Sequence, residues 1–181
     1  MSKGKVPYGI IISGVNYGAK LAPPAKKLEP QGGKIGDSWD DGVNDNVRMI
    51  TVTYDGSGVN SVKFEYAYGT NTVVGDHREL KNDEYITSIK GHYGKRFPPS
   101  GAVRSTMETL GDEYMTMLEF KTNITTYQVS GTIKPGYEFV DKPFKLEEEG
   151  HKIVGFYGKS TSRIQQIGVY VKPIDDAQAN R

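Results

Sequence analysis

The side chains that most often carry chemistry are few and scattered in this sequence. His77, His92 and His151 are its only histidines, and none stands at zinc-ligand spacing from another histidine. There is no cysteine, so thiolate chemistry and a disulfide framework are both excluded. No Gly-x-Ser-x-Gly elbow, phosphate loop or dinucleotide fingerprint occurs. Asp40 and Asp41 could in principle be read as an acid pair of the glycosidase kind. Adjacent residues on an extended chain face opposite ways, however, and such a pair does not flank one bond. Glu147-Glu148-Glu149 precedes a glycine and suits a solvated hairpin tip, and Asp175-Asp176 sits in a polar tail. These residues argue against an enzyme and against a metal or other cofactor. The more informative segment is Gln31-Gly32-Gly33-Lys34-Ile35-Gly36-Asp37-Ser38-Trp39-Asp40-Asp41-Gly42. Its glycines let the backbone approach another group closely, and its aromatic followed by Asp-Asp-Gly makes a core anchor and then a turn.

The elements that must position this segment are strands. The chain has 181 residues, 36% of them apolar, which is enough for one domain with a real core. Val62, Phe64 and Tyr66 alternate with Ser61, Lys63 and Glu65, and Ile50, Val52 and Tyr54 alternate with Met49, Thr51 and Thr53. That period of two marks half-buried strands, and Asp55-Gly56-Ser57-Gly58 between them is a hairpin signal. Tyr85–Lys90, Tyr114–Thr122, Lys152–Tyr157 and Ile167–Val171 are further strand candidates, with turns at Pro98-Pro99, Pro135-Gly136 and Glu149-Gly150. No segment carries a helical period, so the pattern implies an all-β sandwich, barrel or prism. Ile89-Lys90-Gly91-His92-Tyr93-Gly94-Lys95 and Ile153-Val154-Gly155-Phe156-Tyr157-Gly158-Lys159 agree at five of seven positions, which points to repeated structural units.

Domain boundaries follow composition. Residues 1–30 contain Ala22-Pro23-Pro24-Ala25-Lys26-Lys27, which reads as a semi-rigid linker; 31–174 form the domain, and 175–181 a polar tail. Five lysines against Glu29 make the first 31 residues basic, and the net charge of +1 leaves the remainder mildly acidic. A mildly acidic body is a poor landing site for nucleic acid. Near the N-terminus the longest apolar run is Ile10-Ile11-Ile12, too short for a membrane span or a signal core. Together with the missing cysteines, this implies a cytoplasmic or nuclear location.

Three pieces carry a resemblance to a known family. Gly32-Gly33-x(5)-Trp39-Asp40-Asp41-Gly42 is similar to the opening of a jacalin-related lectin domain. Gly75-Asp76-His77-Arg78-Glu79-Leu80, leading to Asp83-Glu84-Tyr85-Ile86-Thr87-Ser88-Ile89-Lys90-Gly91, resembles the family's middle strand. Ile153–Tyr157 followed by Ile167–Val171 resembles its last two strands. The resemblance covers residues 31–173. It implies a β-prism of three four-stranded Greek-key sheets, with a shallow, metal-free sugar site at one end.

By that resemblance Gly32 and Gly33 belong to the first sugar-binding loop, and Asp76 and His77 lie near the second. Ser162, Arg163, Ile164 and Gln165 belong to the third, where the family has Gly-x-x-x-Asp. Here Thr161 replaces the glycine and Gln165 the aspartate, and no carboxylate occurs between Gly150 and Asp175. A carboxylate accepts hydrogen bonds about twice as strong as a neutral acceptor does, so this loop is expected to bind sugar more weakly. The resemblance implies a carbohydrate-binding lectin for mannose- or glucose-containing glycans. The alternative is a jacalin-fold module that has lost sugar binding and contacts protein partners in a plant defence-related complex. Homo-oligomers are common in the family, and no membrane or nucleic-acid partner is implied.

Overall fold

The computed structural model describes residues 23–55, 58–67, 78–81, 83–97, 113–130 and 138–175. Among these residues there are eleven strands and no helix: β1 (Lys26–Gly32), β2 (Asp37–Asp40), β3 (Val47–Asp55), β4 (Gly58–Tyr66), β5 (Arg78–Glu79), β6 (Ile86–Phe97), β7 (Tyr114–Thr122), β8 (Thr126–Ser130), β9 (Glu138–Glu147), β10 (His151–Ser160) and β11 (Ile164–Pro173). They pair antiparallel in three sheets, ordered β1-β11-β10-β2, β4-β3-β5 and β8-β7-β6-β9. Four strands stand in the first and third sheets; the second shows three among the described residues. The fold is the all-β prism that the resemblance implies.

The core forms where the inner faces of the sheets converge. Phe64 of β4 stacks on Phe156 of β10 with centroids 3.6 Å apart and planes 8° from parallel. Phe120 of β7 meets Phe64 edge-on at 6.1 Å. Each sheet thus contributes one phenylalanine to a shared junction, and Ile86, Ile89, Leu118, Ile153, Ile167 and Val169 surround it, fully buried. Burial of each such side chain contributes about 1.5–3 kcal/mol. The alternation seen in β4 is realised in this core: Phe64 is buried, Val62 and Tyr66 pack against it, and Ser61 and Lys63 are exposed.

The two copies of the internal echo lie in β6 and β10, each an interior strand at the same place in its sheet order. In both a lysine ammonium sits over the tyrosine ring, Lys142 over Tyr93 and Lys27 over Tyr157.

The domain begins earlier than composition suggests. Lys26 to Gly32 form a strand whose residues pair with Val171 to Gln166 of β11, so residues 26–30 are sheet and not linker. The lysines misled because their charged heads find partners while the backbone runs along the sheet. Lys26 pairs with Glu148 at 2.9 Å, and Lys27 lies 3.5 Å from Asp40. Pro30 falls in an irregularity of register between Leu28 and Gln31, at an edge strand where its missing N–H is tolerated.

Candidate functional site

One end of the prism gathers segments from distant parts of the chain. β1 ends at Gly32, whose φ of 121° lies in the region that only glycine adopts freely. A Cβ there would collide with the Gln165 carbonyl oxygen. Gly33 continues the contact by donating its N–H to that carbonyl at 2.8 Å, and a Cβ on Gly33 would strike the Glu113 carbonyl. The two glycines therefore exist in this place because two backbones approach too closely for side chains. Beyond them β2 pairs with β10, Asp37 opposite Ser160. The Gly32–Asp37 segment is in this way laid against the turn between β10 and β11.

That turn spans Thr161, Ser162 and Arg163. Thr161 donates its N–H to the Arg163 carbonyl at 2.9 Å. Gln165 is only 2% exposed, and its Oε1 accepts from the Thr161 N–H at 2.9 Å and from the Thr161 hydroxyl at 3.1 Å. The carboxamide that replaces the family's carboxylate is thus turned inward, where it closes the loop that contains it. Ile164 is 4% exposed and belongs to the core, so its side chain faces no ligand. Ser162 is exposed, and no hydrogen bond among the described residues takes up its backbone N–H.

Arg163 looks the other way. Its guanidinium donates to both carboxylate oxygens of Asp55, at 3.2 and 3.0 Å, and to Asn60 Oδ1 at 3.0 Å. The Tyr114 ring lies 5.0 Å from its central carbon. Glu113, beside Gly33, is paired with Lys142 at 2.6 Å.

Six of the eight residues expected at the site lie among the described residues, and the fold brings them together: Gly32 and Gly33 meet the turn that holds Ser162 and Arg163 and the start of β11 that holds Ile164 and Gln165. Asp76 and His77 lie outside the described residues. Asp55, Asn60, Glu113 and Tyr114 join the same end without having been singled out from sequence. Asp55 carries a signal only as the first residue of a hairpin turn and Tyr114 only as the first residue of a strand; Glu113 and Asn60 carry none.

The other candidate chemistry resolves into structure. Asp40 accepts from the Tyr170 hydroxyl and Asp41 from the Tyr66 hydroxyl, each at 2.7 Å, so the two carboxylates serve different sheets. Burial pushes the Asp40 carboxyl up, and donors from Tyr170, the Gly42 N–H and Lys27 more than offset this, holding it below its ordinary value. Among the described residues no group of three or more histidine or acidic side chains could hold a metal ion.

Comparison with known proteins agrees with this arrangement. A family model described as a jacalin-like lectin domain matches residues 28–170, starting within β1. Jacalin-related lectin 45 of Arabidopsis thaliana is 45% identical over 164 residues, which cover 91% of this chain and 35% of that protein. Myrosinase-binding protein 1 of Arabidopsis thaliana is 38% identical over 161 residues, covering 82% of this chain and 31% of that protein. The chain thus spans about a third of the length of these two relatives. Among solved structures, a mannose-binding jacalin-related lectin from Ananas comosus superposes with a TM-score of 0.59 at 25% identity, covering 83% of this chain and 99% of that one. With its three antiparallel sheets, its glycine-built tip and this match over most of its length, the chain belongs to the jacalin-like lectin domain family.

Proposed function

We propose that this domain is a metal-independent, mannose- or glucose-type lectin domain whose sugar contacts are led by backbone amides. The observation that carries this reading is the seating of Gly32 and Gly33 on the Gln165 carbonyl, which brings the glycine segment and the Thr161–Arg163 turn to one tip. Sugar hydroxyls need several converging donors and acceptors, and exposed backbone N–H groups at such a tip supply donors. In this reading the segment holding Asp76 and His77 completes the site. The mannose preference draws support from the mannose-binding relative of Ananas comosus. Binding is weak, because the Gln165 Oε1 is engaged by Thr161 and the tip lacks the family's carboxylate. A missing charge-assisted acceptor costs about 1.5–3 kcal/mol, or roughly tenfold to more than a hundredfold in affinity.

A second reading, a protein-interaction module, is favoured by that same engaged carboxamide and by the 38% identity to a myrosinase-binding protein. Calorimetric titration of methyl α-mannoside, a branched oligomannose and galactose into the native protein and Gln165→Asp separates the two. Heat from the mannose ligands with the native protein, and none from galactose, supports the lectin. A silent native protein with a binding Gln165→Asp variant refutes it and directs the search to a protein partner of the myrosinase kind.

A further inference from the structure

The Thr161-Ser162-Arg163 turn contains neither glycine nor proline, so its backbone has no intrinsic reason to hold one shape. Two side chains hold it instead. Gln165 ties it from within, through Thr161. Arg163 ties it from without, to residues that belong to the other two sheets: Asp55 at the end of β3, Asn60 on β4, and Tyr114 at the start of β7. Asp55 is itself held, since its Oδ1 also accepts from the Gly58 N–H at 3.2 Å across the β3–β4 hairpin.

An ion pair at a surface commonly contributes little, because two long side chains must be ordered and water screens the charge. This one departs from that pattern in three respects. The contact is two-pronged, one guanidinium nitrogen to each carboxylate oxygen. A third bond goes to a neutral acceptor, Asn60, and the Tyr114 ring flanks the cation. The arginine side chain is only 23% exposed. Lysine cannot reproduce the fork.

We infer that Arg163 is a positioning residue that fixes the ligand loop by clamping it to the β3–β4 hairpin through Asp55. The clamp holds the turn that carries the exposed Ser162 amide, the donor that this loop offers a glycan, and it couples the first sheet's tip to the second sheet. Its relevance to glycan binding rests on the proposed lectin reading; the clamp itself does not.

Amide hydrogen exchange, followed by nuclear magnetic resonance on the folded protein, tests it. The probes are the Thr161 N–H, which closes the turn, and the Gly33 N–H, which seats the glycine segment on it. Amides of Ile153–Phe156 in β10 serve as the control, because exchange there reports opening of the sheet and not of the loop. In Arg163→Met and Asp55→Asn, exchange at Thr161 and Gly33 rises about tenfold while the control amides keep their rates. Arg163→Lys keeps the charge, loses the fork and stays exchange-prone. Unchanged rates at Thr161 in both variants, an equal rise at the control amides, or full protection in Arg163→Lys each overturn the inference. A parallel titration with oligomannose shows the same order of affinity, native above variant. If the native protein binds no oligomannose and Thr161 still responds, the clamp stands and the lectin reading falls.

Discussion

Glu84 offers the sharpest test of how the prism is held. It is 1% exposed, yet its carboxylate is fully furnished with donors. Oε1 accepts from the Thr122 hydroxyl at 2.7 Å and the Tyr127 hydroxyl at 2.8 Å, and Oε2 accepts from the Lys81 N–H at 3.2 Å. Desolvation alone would raise its pKa above the ordinary 4.5; the bonds from Thr122, Tyr127 and the Lys81 backbone outweigh it and hold the carboxyl below that value. The substitution Glu84→Gln keeps the length and two of the three acceptances. It sets an NH2 group against the Lys81 N–H, however, and removes the charge. A loss of about 2–3 kcal/mol is expected at neutral pH. The sign of the pH dependence follows from the lowered pKa. Between the folded value and 4.5 the unfolded chain binds more protons, so the contribution of Glu84 is complete above 4.5. It erodes as pH falls through the folded value, and the native and variant curves converge in acid. Urea unfolding of both proteins between about pH 3 and 7 measures this, and other carboxylates cancel in the difference. Curves that stay parallel throughout would refute the account of a charged, hydrogen-bonded Glu84.

Two further substitutions probe the glycine-built tip and the core. Gly32→Ala places a side chain at a φ of 121° and against the Gln165 carbonyl. It is expected to cost about 1–3 kcal/mol from backbone strain alone, read by thermal unfolding, and to abolish any heat of glycan binding. Phe156→Ala empties the fully buried position stacked on Phe64. A loss of about 3–5 kcal/mol in chemical unfolding is expected, with one cooperative transition retained.

Strands that alternate plainly were legible from sequence, as the agreement of Tyr114–Thr122 with β7 shows. Those that escaped notice had their pattern interrupted. In β9 the sequence around Pro143 hides an alternation in which Phe144 and Leu146 are buried and Lys145 is exposed. β9 is an edge strand, where a proline removes no needed donor. β1 escaped because two lysines and a proline surround its one aliphatic residue, Leu28. At the tip, Gly32, Gly33 and the missing aspartate were all visible as residue types. That Gln165 would turn inward was not, since a glutamine's direction depends on what its neighbours leave unsatisfied. Nor was the partner of Arg163, which lies 108 positions away and meets it only once the sheets close.

The pairing of β1 with β11 has a consequence for how the domain is displayed. Lys26 lies opposite Val171 and Gly32 opposite Gln166, so β1 begins and β11 ends at one pole, with the Gly32–Asp37 segment and the Thr161–Arg163 turn at the other. The ten residues of β11 separate the poles by roughly 30 Å at strand rise. The chain therefore enters β1 and leaves β11 at the pole away from the Thr161–Arg163 turn. On the proposed lectin reading, prisms repeated along one polypeptide would present several weak sites, and avidity would raise the apparent affinity by a factor of about 10²–10⁴ wherever their spacing matches a clustered target.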